Sequence, residues 1–187
     1  MCSSDLPPGV WEAVASGRSK EYTAQVYKQD QGDNLHRRSL YTFWKRLAPP
    51  PGLAAFDAPS RETCTVRRIN SNTPLQAFVT LNDPVYVEAA QALARRILKE
   101  GGTTPEQRAK WALELVHCRP ATDAQVKHVL ELCKAETEAY RADKKAAEQM
   151  ATEPLGPLPQ GTDAAEAAAW TVVANVLLSL DAVLTKG

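Results

Sequence analysis

From Trp170 to Leu184 the chain is apolar on nearly every face a helix can present, though it contains Asn175, Ser179 and Asp181. A helix that is apolar all round is stable only when other elements surround it. The stretch therefore predicts a central buried helix, about Asp163 to Thr185, with further helices packed about it. At 15 residues it is shorter than the roughly 18 to 20 needed to cross a bilayer, so it reads as core and no membrane span is expected.

Local punctuation divides the preceding sequence into further helices. Asp33 or Asn34 caps a predicted helix to about Leu47, whose Leu40, Phe43, Trp44 and Leu47 form one apolar stripe, and Pro49-Pro50-Pro51-Gly52 stops it. Thr73-Pro74 and Asp83-Pro84 each read as a cap followed by a first-turn proline. The first opens a short helix with Leu75, Phe78, Val79 and Leu81 inward. The second opens a helix over about Val85 to Lys99, with Tyr86, Ala89, Ala90, Leu93, Ala94, Ile97 and Leu98 on one face, ended by Gly101-Gly102.

Thr104 with Gln107 three residues later is a capping-box start for a helix carrying Trp111, Leu115 and Val116 before Pro120. Thr122 caps another, with Val126, Val129, Leu130, Cys133 and Tyr140 inward. Its far end, Arg141 to Gln149, has lost the stripe and reads as solvated helix. Pro154 to Gly161 holds three Pro and two Gly, a surface linker over about 153–162 before the last helix. Near the start, Val10 to Ala15 is a short apolar turn with Trp11, and Tyr22, Ala24 and Val26 alternate as in a short extended segment. The expected fold class is mainly α: an irregular bundle of five or six helices, a polar loop region and at most one short strand pair.

Charge excludes some partners. The 187 residues carry 22 Lys+Arg and 22 Asp+Glu, which leaves no electrostatic reason to expect nucleic acid or an anionic membrane surface. Cys2, Cys64, Cys118 and Cys133 form no CxxC, no CxxCH and no Cys/His array at zinc spacing, so this chain is expected to hold neither cofactor nor metal. Cys118 and Cys133, ~15 Å apart along an antiparallel hairpin, are beyond disulfide reach and read as buried thiols. His36, His117 and His128 have no metal-ligand spacing. GxSxG, Gly-rich phosphate loops and kinase-type sets are absent, so no catalytic motif marks the chain as an enzyme.

The dibasic pairs Arg37-Arg38, Lys45-Arg46, Arg67-Arg68 and Arg95-Arg96 read as solvated or ion-paired faces. Asn175 and Asp181 read as satisfied buried polar groups. The better candidate site is the irregular stretch after Leu53, where Asp57, Arg61, Glu62, Arg67, Asn72, Gln76, Asn82 and Asp83 concentrate beside the aromatic residues Tyr41, Phe43 and Trp44. Carboxylates, guanidinium groups and amides next to aromatic rings suit sugar hydroxyls or a carboxylate. The same groups suit capping helices and tying an irregular loop down at least as well, and both readings stand at this level.

Several runs together carry a family resemblance: Arg37-Arg38-Ser39-Leu40-Tyr41-Thr42-Phe43-Trp44-Lys45-Arg46, Phe56-Asp57-Ala58-Pro59-Ser60-Arg61-Glu62, Asn72-Thr73-Pro74-Leu75-Gln76-Ala77 and Leu81-Asn82-Asp83-Pro84. They resemble the hallmark segments of the planctomycete-specific C-terminal domain DUF1553. Ala169-Trp170 followed by Asn175-Val176-Leu177-Leu178 and Asp181 resembles its end, so the likeness runs from about Pro7 to Gly187. One departure is Ser179-Leu180-Asp181-Ala182, where relatives commonly show Asn-Leu-Asp-Glu.

The resemblance implies an exported protein of the cell envelope, periplasm or exterior, with a cytochrome-c-like domain upstream carrying any haem c and with upstream domains as partners. The chain, 7–187, would be the C-terminal portion of such a domain. It implies no catalytic residues. The function expected is a helical scaffold or binding region, with carbohydrate as a candidate ligand. The alternative is part of an active site for polysaccharide or redox-linked catabolism completed by upstream domains, and a third reading is a truncated frame with no independent role. Met1 to Leu6, MCSSDL, lacks the features of a signal peptide. It also matches one frame of a common sequencing adapter, so a non-native start is expected, with the natural protein continuing upstream.

Overall fold

A computed structural model describes residues 51–60, 63–67, 71 and 73–184. The expected helix up to Leu47, the segments around Trp11 and Tyr22, and the start at MCSSDL lie outside the described residues. So do Tyr41, Phe43, Trp44, Arg61, Glu62 and Asn72 of the candidate site. The described residues are mainly helical, without a strand, and form eight helices: α1 (Pro51–Ala55), α2 (Pro74–Asn82), α3 (Pro84–Glu100), α4 (Pro105–His117), α5 (Asp123–Ala142), α6 (Lys144–Thr152), α7 (Ala164–Leu178) and α8 (Asp181–Leu184). The chain divides into two compact units, 1–76 and 77–187, with the boundary inside α2.

In the second unit the helix starts are set by the residues that punctuate the sequence. Asp83 accepts from the Val85 amide at the head of α3, while Thr104 and Thr122 form reciprocal capping boxes with Gln107 and Gln125 at the heads of α4 and α5. Each box satisfies amides that the first helical turn leaves unbonded. At the end of α3, Gly102 takes φ +99°, a backbone region open to glycine at little cost.

The core lies around α7, which packs against α3, α5 and α6. Trp170, Val173, Ala174 and Leu177 meet Ala90, Ala94 and Ile97 of α3, Ala109, Ala112 and Leu113 of α4, and Val129 and Cys133 of α5 in one buried cluster. The apolar C-terminal helix is thus central. Arg108, in the first turn of α4, pairs with Glu166 in the first turn of α7, and Arg96 stacks over the Trp111 ring at 5.6 Å.

Several expectations are corrected. The helix capped by Thr122 does not run on to Gln149 as a solvated extension. Asp143 leaves helical geometry, its side chain accepts from the Ala146 amide, and α6 starts afresh with Ala147 and Ala151 buried against Ala165, Ala167 and Ala168 of α7. A face made of alanines is nearly invisible to a search for large apolar residues, yet it lets two helices approach closely. The last helix likewise stops at Leu178: the Ser179 amide and hydroxyl still bond the Asn175 carbonyl, but the Leu180 amide turns to the Leu177 carbonyl three residues back.

Pro51, read as part of a stop, opens α1 instead. A proline that cannot continue one helix is well suited to begin another. On α2 the expected inward face is reversed: Leu75, Phe78 and Leu81 are exposed, whereas Gln76 and Thr80 are buried. Leu115 and Cys118 are also exposed, and Asp181 is exposed at the start of α8. Asn175 is buried and satisfied, donating to the Leu81 carbonyl at 3.3 Å.

Candidate functional site

Among the described residues of the polar loop, Asp57 and Gln76 come together through the ends of two helices in the first unit. α1 closes with the Asp57 amide on the Ala54 carbonyl and the Ala58 amide on the Leu53 carbonyl, the paired bonds of a Schellman termination. That termination requires a left-handed residue, and Asp57 supplies it at φ +57°. Among residues with a side chain, Asp and Asn enter that region most readily.

The left-handed turn presents the Asp57 carboxylate to Ser71, which donates its amide at 2.7 Å and its hydroxyl at 2.9 and 2.7 Å to the two oxygens. Gln76 sits at the third position of α2 and forms a capping box with Thr73: its amide donates to the Thr73 hydroxyl, and its Oε1 accepts from the Thr73 amide. Its Nε2 reaches back to the Ala55 carbonyl at 2.9 Å, with longer contacts to Asp57 and the Ser71 hydroxyl. One buried side chain therefore satisfies the start of α2 and the end of α1 together.

The remaining described positions do other things. Arg67 is exposed in the first unit. In the second unit, Asn82 donates to the Phe78 carbonyl and Asp83 caps α3. Asp83 also adds to the effect of burial on Tyr86, whose phenol is held well above its ordinary pKa, chiefly by desolvation. Five of the eight polar residues are therefore described, two of them in one network. The geometry of Asp57 and Gln76 is that of groups holding the backbone in place.

Two features of the second unit were not read from the sequence. Gln91, on the buried face of α3, donates to the Met150 and Glu153 carbonyls and accepts from the Leu155 amide. Arg95, one turn on, donates to the Ala151 and Gly156 carbonyls and takes part in none of the ion pairs among the described residues. The clue was a spacing of four residues between two polar groups on an otherwise apolar stripe. The second feature is a cleft of about 530 Å³ between the start of α4, the length of α5 and the start of α7, floored by Leu130, Cys133 and Trp170. Burial pushes the Cys133 thiol up, keeping it protonated at neutral pH.

No group of three or more His, Cys, Asp or Glu among the described residues is arranged to hold a metal ion. The chain's four cysteines include no CxxCH, so its residues do not fit covalent attachment of haem. No helix among the described residues is long and apolar enough to cross a membrane.

No curated protein and no solved structure matches the chain. A family model does: the one described as "Protein of unknown function (DUF1553)" matches residues 8–133. The matched span holds the Asp57–Ser71–Gln76 network and α1 through α4, and it ends at Cys133 inside α5. With more than half of its length under that model, the chain belongs to the DUF1553 family.

Proposed function

We propose that this chain is the C-terminal helical scaffold and binding region of an exported, planctomycete, cytochrome-c-associated multidomain protein. The observation that carries the scaffold reading is the use of Asp57 and Gln76. Both are engaged by Ser71, Thr73 and helix-end backbone, which suits a loop held in a set shape for a partner. Export, association with upstream domains and a haem held by those domains rest on the family resemblance. Carbohydrate is the proposed ligand of the loop, through Arg61, Glu62, Arg67 and Asn72.

The test is co-purification of this chain with the separately expressed upstream region of its gene, with and without Arg61→Glu. Retained wild-type association that is lost on charge reversal supports the reading. Unchanged association of the variant counts against the loop, and no association at all counts against the scaffold role. The competing reading makes the loop part of an active site for polysaccharide or redox-linked catabolism. It requires that alanine at Asp57, Arg61 or Glu62 of the whole protein abolish turnover while the fold survives. Cell fractionation with an antibody to this region tests export directly.

A further inference from the structure

The cleft of the second unit is bounded by two rims of unlike charge. On α5, Lys134, Glu138 and Arg141 follow one another at intervals of four and three residues and line one side. The starts of α4 and α7 contribute Glu106, Asp163 and Glu166 to the other. Glu166 is held by Arg108. Lys134, Arg141, Glu106, Glu138 and Asp163 take part in none of the ion pairs among the described residues, so these opposite charges stand around one cleft without closing on each other.

An anion alone would meet Lys134 and Arg141 but face the excess of carboxylates. A cation alone would leave the two bases unmatched. A molecule carrying both charges on an apolar body satisfies both rims and covers the floor. The volume falls within the ordinary range for small-ligand sites, roughly 300 to 1,000 Å³.

We propose that this cleft binds a zwitterionic ligand with an apolar body, of the class of short peptides with free ends. The carboxylate goes to Lys134 and Arg141, the ammonium to Glu106 and Asp163, and the apolar side chains lie over Leu130, Cys133 and Trp170. The proposal stands apart from the scaffold reading, since it uses none of the polar-loop residues.

The test is a two-dimensional NMR titration of the full chain with three probes: trileucine, its N-acetylated form and its C-terminal amide. Trileucine is expected to bind at least 10-fold more tightly than either blocked form, with shifts at the Cys133 and Thr137 amides and the Trp170 indole. Arg141→Gln is expected to weaken trileucine while leaving the amide form unchanged, and Glu106→Gln to weaken trileucine while leaving the acetylated form unchanged. Both positions are exposed, so the variants keep the fold. Equal affinity for all three probes, shifts confined to other surfaces, or no saturable binding overturns the proposal.

Discussion

Gln91 Nε2 donates to the Glu153 carbonyl at 2.6 Å, across 62 residues of sequence, and to the Met150 carbonyl at the same distance. Its Oε1 accepts from the Leu155 amide at 3.0 Å, so one buried amide satisfies three backbone groups where the chain turns from α6 toward α7. Replacing it with leucine keeps the bulk and leaves those part-buried groups without their side-chain partner. An unmade buried hydrogen bond costs about 1–3 kcal/mol. Gln91→Leu is therefore expected to lower stability by about 2–4 kcal/mol, seen as a lower urea midpoint with an unchanged slope.

Asp57 tests the structural role of the polar loop. Asp57→Asn keeps a residue that tolerates the left-handed turn but removes the charge that strengthens both bonds from Ser71. Hydrogen exchange at the Ser71 amide is expected to accelerate, with protection in α7 unchanged. Asp57→Ala loses the acceptor and adds backbone strain, so it is expected to accelerate that exchange further. Unaltered Ser71 protection in both variants would contradict the network.

The alanine seam between α6 and α7 leaves no room for larger groups. Ala168 is 0% exposed, so Ala168→Leu is expected to destabilise by about 1–3 kcal/mol through overpacking. Trp170→Ala acts in the opposite sense, opening a cavity at the centre of the main cluster, at a cost of about 3–5 kcal/mol. Thermal unfolding followed by circular dichroism reads both, and the Trp170 variant is expected to show the larger loss.

Alkaline pH is expected to lower the stability of the fold over windows set by its buried acids, Cys133 and Tyr86 among them. The folded state raises the pKa of the Cys133 thiol and of the Tyr86 phenol, in both cases mainly by burial. Above the unfolded pKa of each, about 8.5 for a thiol and 10 for a phenol, the unfolded chain releases a proton that the folded chain retains. The stability each group contributes is thus full below its unfolded value and is lost as pH rises through its folded one. Tyr86→Phe is expected to flatten the decline above about pH 10, and Cys133→Ser to alter the earlier part, as read from urea midpoints against pH.

The starts of α2 to α5 and of α7, and the identity of the central helix, were legible in the sequence, because they depend on neighbours within a few residues, whereas the starts of α1 at Pro51 and of α6 after Asp143 were not. Thr104 with Gln107, Thr122 and Asp83-Pro84 satisfy the first amides of their own helices, and a run such as Trp170 to Leu178 can be stable only when buried. The polar loop was legible as a concentration of polar side chains. That Asp57 would turn left-handed and face Ser71, and that Gln76 would bridge two helix ends, required contacts across 14 and 21 residues.

Tertiary structure alone decided the rest. It turned Leu75 and Phe78 outward while burying Gln76 and Thr80, placed Gln91 and Arg95 on distant carbonyls, and seated α6 on a face of small residues. Alanine and glutamine carry too little hydropathy to announce burial. Alanine is buried when a second helix comes close, and glutamine when distant backbone groups need partners, and neither condition is written in the residues beside them in the chain.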